Sequence, residues 1–126
     1  MIVGIGIDAV EIHRVERMFA DKGERMLKRL FTGEELSYIS EKVAPAQHLA
    51  VRLAAKEAAY KALAGNELAR GIGWRDVEVM SRSDGAPVLR LHGRAEQRFH
   101  ELGGTSIHVS LTHSLTTAVA VVIVER

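Results

Sequence analysis

The chain has 126 residues, 47% of them hydrophobic, which is enough to bury a core, and we expect a single domain over residues 1–126. Seventeen Lys and Arg against sixteen Asp and Glu leave a net charge of +1, which argues against a general nucleic-acid binder. The absence of cysteine excludes disulfide scaffolds, thiolate metal sites and cysteine nucleophiles. Neither a signal peptide nor a membrane-spanning apolar run is recognisable, so we expect a cytoplasmic protein without membrane contact.

The first half of the chain predicts one strand followed by helices. A β-branched run interrupted by glycines gives way to apolar residues at helical spacing. We predict, in order, a buried strand over residues 2–10 that ends at or just after Asp8, helical segments over 11–30 divided at Gly23, a helix from the capping-box pair Thr32 and Glu35 to about Lys42, and a long helix from Pro45 to about residue 64.

The second half is richer in strands. We predict a half-buried strand over 74–80 with Val77 and Val79 inward and Glu78 outward, a turn at 83–85, a partner strand over 87–91, a helix over 93–102, and strands over 107–111 and 117–124. The last strand is strongly β-branched and should be central in its sheet. The predicted class is α+β, with a small antiparallel sheet packed against helices.

Asp8 is the first candidate for chemistry. It stands where an apolar strand ends, and Gly4 and Gly6 before it permit close approach of another backbone segment. An acid in this place can hold a hard cation such as Mg²⁺. It can equally cap the helix that follows, and the spacing favours neither interpretation.

Four charged residues interrupt the alanine-rich segment 52–63. Glu57 and Lys61 share one helix face, while Arg52 and Lys56 form a second pair about a quarter-turn away. The small residues around them should leave these side chains unshielded. They are either solvated pairs worth about 0.3 kcal/mol each, or part of a magnesium–phosphate site in which Asp8 joins Glu57 on the metal and the cations neutralise phosphate.

Segment 108–114 contains two histidines. Alternation puts His108, Ser110 and Thr112 on one side of a strand, with His113 at the turn that follows. The two histidines fall on opposite faces, which excludes a shared metal site. A Ser–His nucleophile pair is disfavoured, because neither a nucleophile-elbow pattern nor a third member is present.

The first predicted helix is locally basic. Between residues 13 and 30 only three acids accompany His13, Arg14, Arg17, Lys22, Arg25, Lys28 and Arg29. This is either an ordinary solvated face or a docking surface for an acidic helical protein.

Six segments in this order resemble the holo-[acyl-carrier-protein] synthases, the small single-unit type of 4′-phosphopantetheinyl transferase. They are Gly4-Ile5-Gly6-Ile7-Asp8 with Arg14, Phe31-Thr32 with Glu35 and Tyr38, Arg52-Leu53-Ala54-Ala55-Lys56-Glu57-Ala58 with Lys61, residues 74–79, Gly85-Ala86-Pro87, and residues 108–114. The resemblance implies the 4′-phosphopantetheinyl transferase fold and a homotrimer with a cleft at each subunit interface.

The resemblance also implies an activity and a set of site residues. The enzyme would use Mg²⁺ to move the phosphopantetheine arm of coenzyme A onto a serine of apo acyl carrier protein, in support of fatty acid biosynthesis. Positions matching Asp8 and Glu57 hold the metal, and the lysine matching Lys61 lies beside the phosphates. Near the nucleotide lie the positions matching Arg52, Gly85, Pro87 and His113, and the acidic carrier protein would meet Arg14 and Arg25.

Two questions stay open at the level of sequence. The proton of the attacking serine could pass to a water held by the metal or to Glu57 directly. A module that binds coenzyme A or an acidic protein without catalysis is the alternative function. The simultaneous presence of Asp8, Glu57 and Lys61 argues against it, because a binder needs no two-acid metal site.

Overall fold

The computed structural model describes the backbone of all 126 residues and every side chain except that of Lys22. Lys22 is one member of the predicted basic face, and its side chain lies outside the described part. The elements in chain order are β1 (Ile2–Glu11), α1 (Ile12–Leu30), α2 (Gly33–Ser40), α3 (Pro45–Leu63), α4 (Glu67–Arg70), a 3₁₀ turn (Trp74–Asp76), β2 (Val77–Ser81), β3 (Pro87–Leu91), α5 (Gly93–Glu101), β4 (Ser106–His113) and β5 (Thr117–Glu125).

The strands form an antiparallel sheet in the order β1–β5–β4 and a separate β2–β3 hairpin. The predicted α+β class is therefore confirmed, and β5 is central as expected. Gly23 has a positive φ of 59° and divides α1, and Thr32 with Glu35 forms the predicted capping box of α2. None of the described helices is long and apolar enough to cross a membrane.

Several predicted details are wrong. The strand expected over 74–80 begins as a 3₁₀ turn, because the Asp76 carboxylate accepts a hydrogen bond from the backbone N–H of Gly73 at 2.9 Å. Glu78 is buried instead of exposed. The short helix α4 was not anticipated; its N-cap is Asn66, which accepts from the Ala69 N–H. His113 belongs to β4 and not to the following turn.

Helix α3 packs across the three-stranded sheet and is buried on most of its circumference. Small side chains make this possible: Ala54, Ala55, Ala58 and Ala59 are fully buried. From the sheet, β5 contributes the buried alternating residues Ala118, Ala120, Val122 and Val124. A helix of alanines against a strand of small and β-branched residues brings the two backbones close together.

The closest approach is between α3 and β1. A Cβ atom on Gly6 would lie 1.9 Å from the carbonyl oxygen of Ala58, and one on Gly4 would lie 2.1 Å from that of Ala62. Alternation along the strand puts Asp8 on the same face as these glycines. The contact therefore brings Asp8 against the helical turn that carries Glu57 and Lys61.

Replacement of Gly6 by alanine should separate α3 from β1. We expect Gly6→Ala to lower the free energy of unfolding by about 2 kcal/mol or more, because the added methyl group meets helix backbone that cannot turn aside. Chemical denaturation measures the effect. Gly33→Ala is the matched control, since nothing lies within 4 Å of its Cβ position, and it should leave stability unchanged or slightly raised. Equal stabilities of the two variants would contradict the close-approach argument.

Candidate active site

Asp8, Glu57 and Lys61 meet where β1 crosses α3. The ammonium of Lys61 donates to Asp8 Oδ1 at 2.8 Å and to the backbone carbonyl of Ile7 at 2.9 Å. Glu57 precedes Lys61 by one helical turn and hydrogen-bonds Asp8 when one of the two carboxyls is protonated. The Asp8 side chain is largely buried, whereas that of Lys61 is 53% exposed and retains a donor for a ligand.

The two carboxyls differ in acidity. Burial raises the pKa of Glu57 to about 7, and the neighbouring Asp8 acts in the same direction, although Arg14 and Lys61 oppose it. Burial would also raise the pKa of Asp8, but the hydrogen bonds from Glu57 and Lys61 and the charge of Lys61 hold it below its usual value. At neutral pH the pair can therefore share a proton, with Asp8 ionised.

The pair is suited to a hard cation. Asp8 Oδ2 is buried and, among the described residues, receives no hydrogen bond while both carboxyls are ionised. No cluster of three or more potential metal ligands exists among the described residues. Mg²⁺ needs no such cluster, because it commonly takes one or two carboxylates and completes its shell with water and phosphate oxygens. The donor set of Asp8 and Glu57 fits that requirement.

A cavity of about 430 Å³ opens beside this pair. Its charged lining consists of Asp8, Lys56, Glu57, Lys61 and Arg70, and its apolar lining includes Tyr60, Ile72, Trp74 and Val77. Tyr60 and Trp74 are each 40% exposed, so aromatic surface stands next to the carboxylates. The cavity can hold a molecule with an anionic part and an apolar part.

Arg52 and Lys56 are not the unshielded side chains that the sequence predicts. Arg52 is 5% exposed and Lys56 is 2% exposed, because α2 and the β2–β3 hairpin cover this side of α3. The guanidinium of Arg52 stacks 4.5 Å from the Tyr38 ring, and Lys42 lies 4.3 Å from the same ring. Burial lowers the pKa of Arg52, and within the described part its Nε has no acceptor.

Gly85, Pro87 and His113 lie at the β2–β3 turn and at the end of β4. Gly85 occupies the β2–β3 turn with a φ of 87°, and Pro87 begins β3. The His113 ring contacts Gln47 near the start of α3. Together with Arg52, these residues lie outside the set that lines the Asp8–Glu57 cavity, so one chain carries two separate groups of predicted site residues.

The two predicted docking residues lie on α1, and both are exposed. Arg14 is close enough to Glu57 to lower the pKa of that carboxyl. It also lines a shallow groove with Arg17, Met18 and Met26. Arg25 follows the break at Gly23, on the second part of the helix.

A buried polar network at the cavity wall has no counterpart among the features predicted from the sequence. Lys56 pairs with Glu35 at 2.8 Å, and Glu78 accepts a hydrogen bond from Thr32 and pairs with His92. One signal could have indicated it: a lysine in the middle of an otherwise apolar helical run has to find a buried partner.

Comparison with known proteins identifies the family. The sequence model of the 4′-phosphopantetheinyl transferase superfamily matches residues 4–120. The chain belongs to this superfamily. It is 52% identical to a holo-[acyl-carrier-protein] synthase of Treponema denticola over 99% of both chains, and 47% identical to one of Geobacter metallireducens over 100% of this chain and 99% of the relative. Within the superfamily it is therefore an enzyme of the holo-[acyl-carrier-protein] synthase type.

Solved structures of holo-[acyl-carrier-protein] synthases share the fold. The Neisseria meningitidis structure superposes with a TM-score of 0.88 at 28% identity, covering 100% of both chains. The Bacillus anthracis structure, in complex with CoA (3′,5′-ADP), superposes with a TM-score of 0.78 at 31% identity, covering 98% of this chain and 96% of the other. The 4′-phosphopantetheinyl transferase fold expected from the sequence is confirmed.

The raised pKa of Glu57 predicts a pH dependence of stability in the presence of a chelator. A carboxyl whose pKa is higher in the folded state than in the unfolded state stabilises the fold only while it is protonated. The free energy of unfolding should therefore fall as the pH rises from about 4.5 to about 7. Glu57→Gln should remove this decline, as measured by urea denaturation across the range. Parallel profiles for the two proteins would contradict the pKa assignment.

Proposed function

We propose that this chain, acting as one domain in the cytoplasm, transfers the 4′-phosphopantetheine group of coenzyme A to a serine of apo acyl carrier protein for fatty acid biosynthesis. The products are holo acyl carrier protein and adenosine 3′,5′-bisphosphate. The observation that carries the proposal is the meeting of Asp8, Glu57 and Lys61 beside a cavity, in a chain whose full-length relatives are holo-[acyl-carrier-protein] synthases.

Asp8 and Glu57 are the proposed magnesium ligands. Bound there, Mg²⁺ would neutralise the charge of the coenzyme A pyrophosphate and polarise its P–O bonds. The unpartnered Asp8 Oδ2 supports this assignment. So does the shared proton of the pair, since a proton held between two carboxyls leaves when a cation takes its place.

Lys61 stabilises charge during the transfer. The serine oxygen attacks the β-phosphorus, the bond from that phosphorus to the departing bisphosphate breaks, and the serine proton passes to a base. Lys61 donates to Asp8 and to the Ile7 carbonyl, which leaves its third N–H for a phosphate oxygen. A protonated lysine beside a polyanion is a poor base, so its proposed contribution is electrostatic.

Arg52, Gly85, Pro87 and His113 form the proposed nucleotide site. Arg52 has an unsatisfied, buried donor, and Lys42 adds a positive charge at the same Tyr38 ring. Burial and these two cations lower the pKa of His48, so its imidazole is neutral there. These residues lie apart from the Asp8–Glu57 cavity within one chain. We therefore propose that a bound coenzyme A spans two subunits, with its pyrophosphate on one and its nucleotide on the next.

A homotrimer is the proposed assembly. The face of β1 turned away from α3 exposes Ile5 and Ile7 to 63% and 60%. At the β4–β5 turn Leu115 is 98% exposed. Large apolar side chains exposed on an open sheet face are typical of a surface that a second copy covers.

Mutation of either proposed metal ligand should abolish transfer. We expect Asp8→Asn and Glu57→Gln each to lower the rate by about 10² to 10³-fold or more, because electrostatic stabilisation of the reacting phosphate is lost. Mass spectrometry of apo acyl carrier protein, incubated with coenzyme A and Mg²⁺, detects the added phosphopantetheine group.

Three controls accompany this measurement. A chelator should abolish the wild-type reaction and Mg²⁺ should restore it, whereas Glu96→Gln, an exposed acid on α5, should react normally. Light scattering should give the mass of three chains for the wild type and for both variants. Full activity of either ligand variant would overturn the metal assignment.

Arg14 and Arg25 are the proposed contacts for the acidic carrier protein. Arg14→Ala should raise the KM for carrier protein by about tenfold with a much smaller effect on the KM for coenzyme A, since a positive charge at the rim guides an acidic partner. Steady-state kinetics with each substrate varied separately measures the difference. Arg126→Ala removes a positive charge beside Met1, at the opposite end of β1, and should change neither constant. Equal increases in both constants for Arg14→Ala would remove the docking assignment.

A further inference from the structure

The ion pair between Lys56 and Glu35 is buried at the cavity wall, where Lys56 belongs to the lining and Glu35 lies behind it. The side chains are 1% and 0% exposed, and Lys56 Nζ lies 2.8 Å from Glu35 Oε1. The ammonium also donates to the backbone carbonyl oxygens of Trp74 at 3.0 Å and Val77 at 2.5 Å. A lysine has three N–H donors and all three are occupied, so Lys56 has none left for a phosphate.

Glu35 extends these contacts in two further directions. Its Oε1 accepts from the backbone N–H of Thr32, and its Oε2 accepts from that of Val79, each at 2.9 Å. The pair therefore joins α2 and α3 to the chain segment 74–79. Within that segment, the carbonyls of Trp74 and Val77 are held by Lys56 and the amide of Val79 by Glu35.

The tethered segment forms part of the cavity. Gly73, Trp74 and Val77 line it, together with Glu57 and Lys61 of α3. Lys56 directly precedes Glu57, so a single helical turn holds both the proposed metal ligand and the anchor of the wall. Any movement of this anchor changes the separation between the wall and the reacting groups.

Stability alone is a weak explanation for such a pair. Burial lowers the pKa of Lys56 although Glu35 opposes the shift, which reflects the cost of keeping a charge in the core. Apolar residues of similar volume commonly give equal or greater stability than a buried ion pair. What an apolar pair lacks is directed hydrogen bonding to the carbonyls of Trp74 and Val77.

We propose that Lys56 and Glu35 are positioning residues that hold residues 73–77 at a fixed place relative to Glu57 and Lys61, and thereby set the affinity for the donor substrate. The identity of the donor, coenzyme A, rests on the proposed function. The fixed position of residues 73–77 does not depend on that function.

The test compares the wild type with Lys56→Met, which keeps most of the apolar volume and removes the three donors. We expect the KM for coenzyme A to rise about tenfold with kcat reduced less than about threefold, as for a loss of binding common to ground and transition states. Trp74 is the only tryptophan, so its emission reports the wall directly. Quenching by acrylamide should increase in the variant, with or without substrate.

Arg98→Met is the matched control. Arg98 is a buried cation of α5 that packs against the C-terminal end of α3, where it donates to the carbonyls of Leu63 at 2.8 Å and Ala64 at 3.0 Å. Neither it nor these acceptors belong to the cavity lining. Its replacement should lower the thermal midpoint while leaving the KM for coenzyme A and the quenching of Trp74 unchanged.

A double variant separates positioning from stability. Glu35→Gln with Lys56→Met removes the unpaired charge but leaves one backbone N–H, of Thr32 or Val79, without its acceptor. The thermal midpoint should therefore lie above that of Lys56→Met and below that of the wild type, while the KM and the quenching remain raised. This variant also decides the matter if Lys56→Met alone does not fold. Wild-type values of KM and quenching in the folded variants would overturn the proposal. If the wild type transfers nothing, the proposed function fails, and the quenching comparison still decides whether Lys56 fixes the wall.

Discussion

The contact between β1 and α3 is the constraint on which the rest of the structure depends. Gly4 and Gly6 lie so close to the carbonyls of Ala62 and Ala58 that no side chain fits between strand and helix. Two carboxylates from segments about fifty residues apart are thereby brought within reach of each other and of Lys61. The meeting of Asp8 and Glu57 therefore follows from backbone proximity, which only small residues allow.

Charged side chains around α3 divide into two groups by solvent access. Lys61 is half exposed to the cavity and keeps one N–H donor for a ligand. Lys56 is enclosed, and all three of its N–H donors are hydrogen-bonded to Glu35 and to backbone carbonyls. Arg52 is intermediate, being buried against Tyr38 with one donor unsatisfied. In an alanine-rich helix, the elements that pack against each side therefore decide whether a cationic side chain stays open to a ligand or is used up in hydrogen bonds within the protein.

Much of the fold could be predicted because its signals are local. The capping box at Thr32, the break at Gly23 and the β-branched run of β5 each act through neighbouring residues. The candidate site became specific only through resemblance, since Asp8 alone fits a helix cap equally well. The burial of Glu78 and the identity of the partners of Lys56 could not be predicted, because both depend on how α2 and the β2–β3 hairpin cover α3, and such contacts leave no periodic pattern in the sequence.

Strand β1 presents different residues on its two faces. Gly4, Gly6 and Asp8 point toward α3, and Ile5 and Ile7 alternate with them on the open side. Insertion or deletion of one residue in this segment would exchange the two sets, turning isoleucines into a space that admits no side chain and the aspartate away from the helix. The proposed metal ligand and the outer surface of the sheet therefore depend on the same alternation of side chains, so a residue can be substituted on either face without moving the other, whereas a change in the length of the strand between Gly4 and Asp8 moves both.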